Sequence, residues 1–139
     1  SVTLLEKKGD AFVATTKEGK TYGARAAIVA SGKIPRKLGV PGEDALLGKG
    51  LTYCATCDAP IFAGKAVAVI GGGNSAMDAA LQLERIAREI YVINILPSLQ
   101  GDPVFQEKVL ASKKIRVLLE AHATAVLGDK VVAGLRLEQ

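Results

Sequence analysis

The chain has no tryptophan, three phenylalanines, three tyrosines, one histidine and two cysteines in 139 residues. So few aromatics argue against the stacking platforms that hold single-stranded nucleic acid. The net charge is only +4, with 18 basic side chains scattered among 14 acidic ones, so no basic patch is built and nucleic acid is not an expected partner. No apolar run approaches the ~20 residues of a membrane helix. No secretory leader is visible either, although the chain begins at Ser1 without a methionine. The two cysteines form a single C-x-x-C and do not resemble a secreted disulfide scaffold. With one distant histidine, His122, they also fall short of the about four ligands of a structural zinc site. A cytoplasmic protein without a metal site and without a membrane partner is expected.

What is present is 49% hydrophobic and 23% charged residues, enough for a soluble globular fold with a sizeable core. The stretch from Lys65 to Ala87 organises the rest. Ala66–Ile70 is short, apolar and β-branched, as a strand buried on both faces should be. Beyond Gly71-Gly72-Gly73-Asn74-Ser75-Ala76 the spacing changes. Ala76, Ala80, Leu83 and Ala87 then follow a helical pattern, with Asp78, Gln82 and Arg85 on another face. Strand, glycine turn and helix together fit G-x-G-x-x-A. Gly71 permits the tight turn, Gly73 lets a pyrophosphate approach the backbone, and Ala76 lets helix and strand pack closely. The helix N-terminus offers free N–H groups and a positive dipole end. In that context the pattern identifies a dinucleotide site.

Upstream, residues 2–30 predict a three-stranded meander over Val2–Lys7, Phe12–Thr16 and Thr21–Ala30, whose last part, Ala26–Ala30, is apolar enough to enter a buried sheet. Lys33 to Gly50, with Pro35, Pro41 and four glycines, reads as a linker. The expected domains are therefore 1–49 and 50–139, with Gly48-Lys49-Gly50 as a candidate hinge. Downstream, Glu89–Ile95 reads as a second strand. Asp102-Pro103 starts a helix running to about Ser112, with Val104, Val109 and Leu110 apolar. Ile115–Leu119 is a third strand, and Thr124–Leu127 with Val131–Leu137 a hairpin. The β-α-β-α-β order predicts an α/β fold: a Rossmann-like parallel sheet with helices on both faces, preceded by the β-meander. No closing helix follows the hairpin before Gln139, so a portion of a longer protein is expected.

Cys54 and Cys57 admit three readings: inert buried thiols, part of a metal site, or a redox dithiol. The third is favoured, because two intervening residues let the sulfurs close into a disulfide and such pairs can have lowered thiol pKa values. The pair also stands just before the dinucleotide fingerprint, so a two-electron store neighbours the site of a hydride carrier. Asp58 taken alone reads as a turn or cap residue, and His122 as a surface or packed side chain.

Tyr53-Cys54-Ala55-Thr56-Cys57-Asp58, Gly64-Lys65 and the Val-Ile-Gly-Gly-Gly-Asn-Ser-Ala turn closely resemble the thioredoxin reductase family. The flavoprotein subunit of alkyl hydroperoxide reductase is a near relative. Ile28–Gly32, Pro35-Arg36 and Pro41-Gly42-Glu43 resemble the end of that family's first flavin-domain segment, so residues 1–49 are expected to be part of an FAD domain. The resemblance implies an oxidoreductase in which electrons run from NADH or NADPH to FAD, then to Cys54–Cys57, then to thioredoxin or a similar protein. It further implies that Cys54 attacks the partner's disulfide, that Cys57 lies nearer the flavin, and that Asp58 is the acid of thiol–flavin exchange. Two domain orientations and a homodimer are also implied. The family's other flavin segments are absent here, so this piece is not expected to turn over alone.

The nicotinamide choice falls on the residue ending the second strand, where an acid grips an NAD ribose and arginines a 2′-phosphate. That residue is Asn94, and no arginine lies between Arg88 and Arg116. NADH is therefore favoured, with Asn94 hydrogen-bonding the ribose. The alternatives are the flavoprotein reductase of a peroxiredoxin and, if the natural chain is this short, a non-catalytic nucleotide-binding module.

Overall fold

The computed structural model describes residues 1–32 and 34–139; Lys33, where the expected linker begins, lies outside them. The chain forms two compact units, Ser1–Ile34 and Pro35–Gln139. The first is an antiparallel meander of β1 (Val2–Lys8), β2 (Ala11–Thr16) and β3 (Thr21–Ala24). The third strand stops short of the expected Ala30. Residues 25–30 carry no regular structure, and Ile28 stands 95% exposed. An apolar run alone does not make a strand: it needs a neighbouring backbone for its N–H and C=O groups, and none of the described residues supplies one.

The second unit is α/β. Its parallel sheet has the order β4 (Ala66–Ile70), β5 (Glu89–Ile93), β6 (Ile115–Leu118), connected by α3 (Asn74–Glu84) and α4 (Pro103–Ala111). Consecutive right-handed crossovers in that order stack both helices on one face of the sheet, and α3 does pack on α4. The core lies there: Val67, Met77, Ala80, Leu83, Ile90, Val92, Val109 and Ile115 are buried together. Alternate residues of β4, namely Ala66, Ala68 and Ile70, are exposed on the other face. Neither α3 nor α4 covers that face among the described residues. The face looks across a cavity of about 650 Å³ toward the hairpin of β7 (His122–Gly128) and β8 (Val132–Glu138). The layering is thus helix, sheet, hairpin, and the expected burial of β4 on both faces gives way to a one-sided edge strand. In α4 the buried residue is Val109, with Phe105 half-buried, while Val104 and Leu110 face solvent. The helix carries apolar residues all round, so spacing alone does not select its inner face.

The expected linker is largely built into the second unit. It contains α1 (Glu43–Leu46), and its backbone is tied to the hairpin: Val126 N–H donates to Pro41 O at 2.9 Å, and Val132 N–H to Lys49 O at 2.9 Å. A Cβ on Gly42 would stand 2.0 Å from the Val126 carbonyl oxygen, so the two segments touch backbone to backbone. By contacts alone the chain divides at residues 34/35. The candidate hinge at Gly48–Gly50 lies inside the second unit, against Val132.

Candidate functional site

The cysteines close a disulfide whose Cα atoms are 5.3 Å apart. Cys54 precedes the single helical turn α2 (Ala55–Asp58), and its Sγ accepts the Cys57 N–H at 3.2 Å. Cys54 is half-buried and Cys57 exposed. Asp58 N–H returns to Cys54 O at 3.2 Å, and the Asp58 carboxylate accepts from the Thr52 hydroxyl. The three candidate catalytic residues therefore form one loop, closed by a side chain that no sequence motif singles out.

A second cluster stands just upstream. Glu43 is 3% exposed. Its carboxylate accepts the N–H groups of Leu38 at 2.8 Å and Gly39 at 2.7 Å, and the Tyr53 hydroxyl. Burial alone would push the Glu43 carboxyl up, but these hydrogen bonds to its charged form outweigh it and leave it below the ordinary range. Tyr53, held chiefly by its hydrogen bond to Glu43, is pushed up to about 12. Stability from the lowered Glu43 is complete above the ordinary glutamate pKa and fades as pH falls through the lower folded value. Stability from the raised Tyr53 is complete below the ordinary tyrosine pKa and fades as pH rises through about 12. Glu43→Gln is expected to remove roughly 2 kcal/mol, because charge-assisted bonds to Leu38, Gly39 and Tyr53 become neutral or unpaired. It should also flatten the acid limb of the stability–pH curve, which chemical denaturation at a series of pH values would check.

At the glycine turn, Gly71 has φ 120°, a conformation that favours glycine. Gly71 N–H donates to Ile93 O at 2.8 Å, seating the turn on β5. A Cβ on Gly73 would meet nothing within 4 Å. The N–H groups of Gly73, Asn74 and Ser75 have no backbone partner among the described residues. Open space over free donors at the start of an eleven-residue helix suits an anionic ligand approaching the backbone. Ala76 is half-buried behind them, where its small side chain keeps α3 near the turn.

Gly72 faces the opposite way. A Cβ there would stand 2.5 Å from Asn94 Cγ. Asn94 is 4% exposed, and its Nδ2 donates to Ser98 O at 2.7 Å and Leu96 O at 3.3 Å. The amide holds the loop after β5 beneath the turn, and that loop in turn gives its Gln100 N–H to Gly72 O at 2.7 Å. Asn74 points sideways and exchanges two hydrogen bonds with Asp102, at 2.9 and 2.6 Å. Ile95–Ser98 form the exposed rim of this loop and carry no charge. His122 lies exposed at the start of β7, away from these groups in sequence and bonding.

The two parts are joined. Thr56 Oγ1 donates to Gln82 Oε1 at 3.0 Å, and Gln82 Nε2 to Asp78 Oδ2 at 2.7 Å, docking the disulfide turn on α3. Cys54, Thr56, Ser75 and Asp78 consequently line one cleft of about 250 Å³. Thr52, Glu43, Tyr53 and Gln82 are the site's unforeseen members. The bonds that tie them into the site, Thr52 to Asp58, Tyr53 to Glu43 and Gln82 to Thr56, span 6, 10 and 26 positions.

A glycine turn with free N–H groups at a helix start, beside a C-x-x-C disulfide on one α/β scaffold, is the arrangement expected of a nucleotide-linked disulfide oxidoreductase. The chain belongs to the pyridine nucleotide-disulphide oxidoreductase family, which matches residues 1–139. It is 38% identical over 136 residues to thioredoxin reductase of Streptomyces coelicolor, covering 98% of this chain and 42% of the relative. It is 44% identical over 114 residues to alkyl hydroperoxide reductase F of Escherichia coli, covering 82% of this chain and 22% of that protein. Thioredoxin reductase from Giardia duodenalis superposes with a TM-score of 0.84 at 29% identity, over 99% of this chain and 45% of that one. The chain thus spans less than half the length of these relatives. Among the described residues, no helix is long and apolar enough to cross a membrane.

Proposed function

We propose that this chain is the nicotinamide-nucleotide-binding and redox-dithiol portion of a thioredoxin reductase-like flavoenzyme, carrying electrons from NAD(P)H through FAD to Cys54–Cys57 and on to thioredoxin or a similar protein disulfide. The observation that carries this reading is the docking of the disulfide turn on the nucleotide helix through Thr56 and Gln82. Residues 1–49 are assigned to an FAD domain and 50–139 to the nucleotide domain. The exposed Ile28 supports that assignment, as an apolar run suited to a sheet larger than this chain displays. The assembled enzyme is taken to be a cytoplasmic homodimer, by family likeness.

The cofactors supply hydride and electron-pair transfer when bound. In this chain, the N–H groups of Gly73, Asn74 and Ser75 hold the pyrophosphate, and the open face of Gly73 admits it. Asn94 acts from below, fixing the loop that carries the ribose-facing rim, rather than by reaching the ribose itself. That rim offers no cation for a 2′-phosphate, so NADH is favoured over NADPH. Cys54 is assigned the attack on the partner's disulfide, Cys57 the position nearer the flavin, and Asp58 the movement of a proton at the sulfurs. The likeness to alkyl hydroperoxide reductase F supports a second reading, the flavoprotein reductase of a peroxiredoxin.

The test uses the full-length protein, purified with its flavin and reduced anaerobically. Flavin bleaching should run far faster with NADH than with NADPH. Bleaching by neither, with thioredoxin-linked exchange intact, overturns the nicotinamide assignment. Absence of flavin leaves the non-catalytic module. Transfer to a peroxiredoxin in preference to thioredoxin selects the second reading.

A further inference from the structure

We infer that Thr52 is a positioning residue that ties the Asp58 carboxylate to the backbone of the Cys54–Cys57 turn through the redox cycle. The inference rests on the proposed redox role of the disulfide and adds a residue to it.

A threonine hydroxyl has one proton to give and lone pairs to receive. Thr52 Oγ1 receives the Cys54 N–H at 3.1 Å, and its own proton goes to Asp58 Oδ2. The hydroxyl thus bridges the backbone of one cysteine and the carboxylate that follows the other. The bridge is anchored from outside the disulfide turn. Leu51, next in the chain, pairs with Leu47 in a parallel bridge, and Gly48 N–H donates to Leu51 O at 2.8 Å. The other bonds that close the turn, Asp58 N–H to Cys54 O and Cys57 N–H to Cys54 Sγ, belong to the turn itself. When the sulfurs separate, the contact with Cys54 Sγ is the one whose acceptor changes, from a disulfide sulfur to a thiol or thiolate. The Thr52 bridge involves neither sulfur and can persist.

Opening the bond consumes two electrons and two protons and leaves two thiols. The electrons come from the reduced flavin of the proposed cycle or, in a test, from an added dithiol. Transfer to a partner disulfide returns both electrons and both protons to the partner's sulfurs. A carboxylate kept at a fixed place beside the pair can carry one of those protons in each direction, and one free to rotate into solvent does so less often.

The test follows the rate at which the reduced Cys54–Cys57 pair of the intact protein exchanges with a small aromatic disulfide. Thr52→Val keeps the shape and removes the donor. It should slow exchange roughly tenfold, since the carboxylate is no longer held where it can take up or give a proton. Thr52→Ser should restore the rate. In an Asp58→Asn background Thr52→Val should add nothing further. A Thr52→Val rate equal to the wild type's, slowing that Thr52→Ser does not rescue, or further slowing in the Asp58→Asn background overturns the inference. Thr52→Ala substitutes where the valine variant does not fold. Loss of folding in both, with the serine variant folded, reassigns Thr52 to the scaffold. Failure of the wild-type pair to exchange at all is a different result, and sinks the dithiol reading itself.

Discussion

Gly73→Ala is expected to weaken nicotinamide-nucleotide binding on the order of tenfold to a hundredfold while leaving stability nearly unchanged, and Gly72→Ala to do the reverse. The backbone at Gly73, φ −90° and ψ 178°, suits alanine, and the new Cβ would meet nothing within 4 Å, so the fold has no reason to object. The methyl would instead stand where the pyrophosphate must close on the free N–H groups, lengthening each of those bonds together. Displacements of about 1 Å in a positioned ligand are enough for effects of that size. At Gly72 the methyl would press on Asn94 Cγ at 2.5 Å. That side chain is buried and held by the carbonyls of Leu96 and Ser98, so it cannot move aside without breaking both bonds. Overpacking of this kind costs about 1–3 kcal/mol. Thermal melts and nucleotide titration of the two variants separate the effects. Equal loss of stability in both would show that the turn is only a packing element.

The adjacent glycines thus answer to different neighbours, and this marks how far the sequence could be read. Strand, turn and helix over Lys65–Glu84 were legible because each is local: a β-branched run, a turn that needs φ 120° at Gly71, and a 3.6-residue period. The cysteine pair and its place before the fingerprint were equally legible. The role of Asn94 was not. From its place at the strand end it reads as a ribose ligand, and only the folded loop shows its amide turned inward to Ser98. Glu43 and Thr52 were hidden for the same reason, since their partners are set by the path of the chain between residues 38 and 58. The boundary at 49/50 was read from proline and glycine density, which signals irregular backbone; in this chain that backbone is packed against the β7–β8 hairpin. The second face of β4 could not be foreseen from Ala66–Ile70 itself. A run of apolar residues is compatible with burial on one face or both, and what lies opposite is decided by topology.

If the full-length protein turns over with thioredoxin as proposed, Cys57→Ser in it is expected to abolish that turnover and to leave a stable mixed disulfide between Cys54 and the partner; Cys54→Ser should abolish turnover without trapping anything. Two observations pull on this assignment in opposite directions. Exposure favours Cys57, which is open to solvent while Cys54 is half-buried. Electrostatics favours Cys54, whose Sγ receives the Cys57 N–H at 3.2 Å, a bond that strengthens when the acceptor is a thiolate and so favours that form at Cys54. The thiolate is the attacking species, and a small change in its population acts directly on rate, whereas a half-buried sulfur in a four-residue turn needs only a modest opening to meet its partner. The hydrogen bond therefore outweighs the exposure. Once Cys54 has attacked, the Cys57 sulfur is the group placed to displace the partner, and serine in its place cannot complete that exchange. Incubating each variant with oxidised thioredoxin under reducing turnover conditions, then separating the products without reductant, decides between them. A trapped complex with Cys54→Ser and none with Cys57→Ser would make Cys57 the nucleophile. In that case Cys54 would be the sulfur turned toward the flavin, and the carboxylate beside the attacking thiol would be the one that immediately follows it in sequence, Asp58.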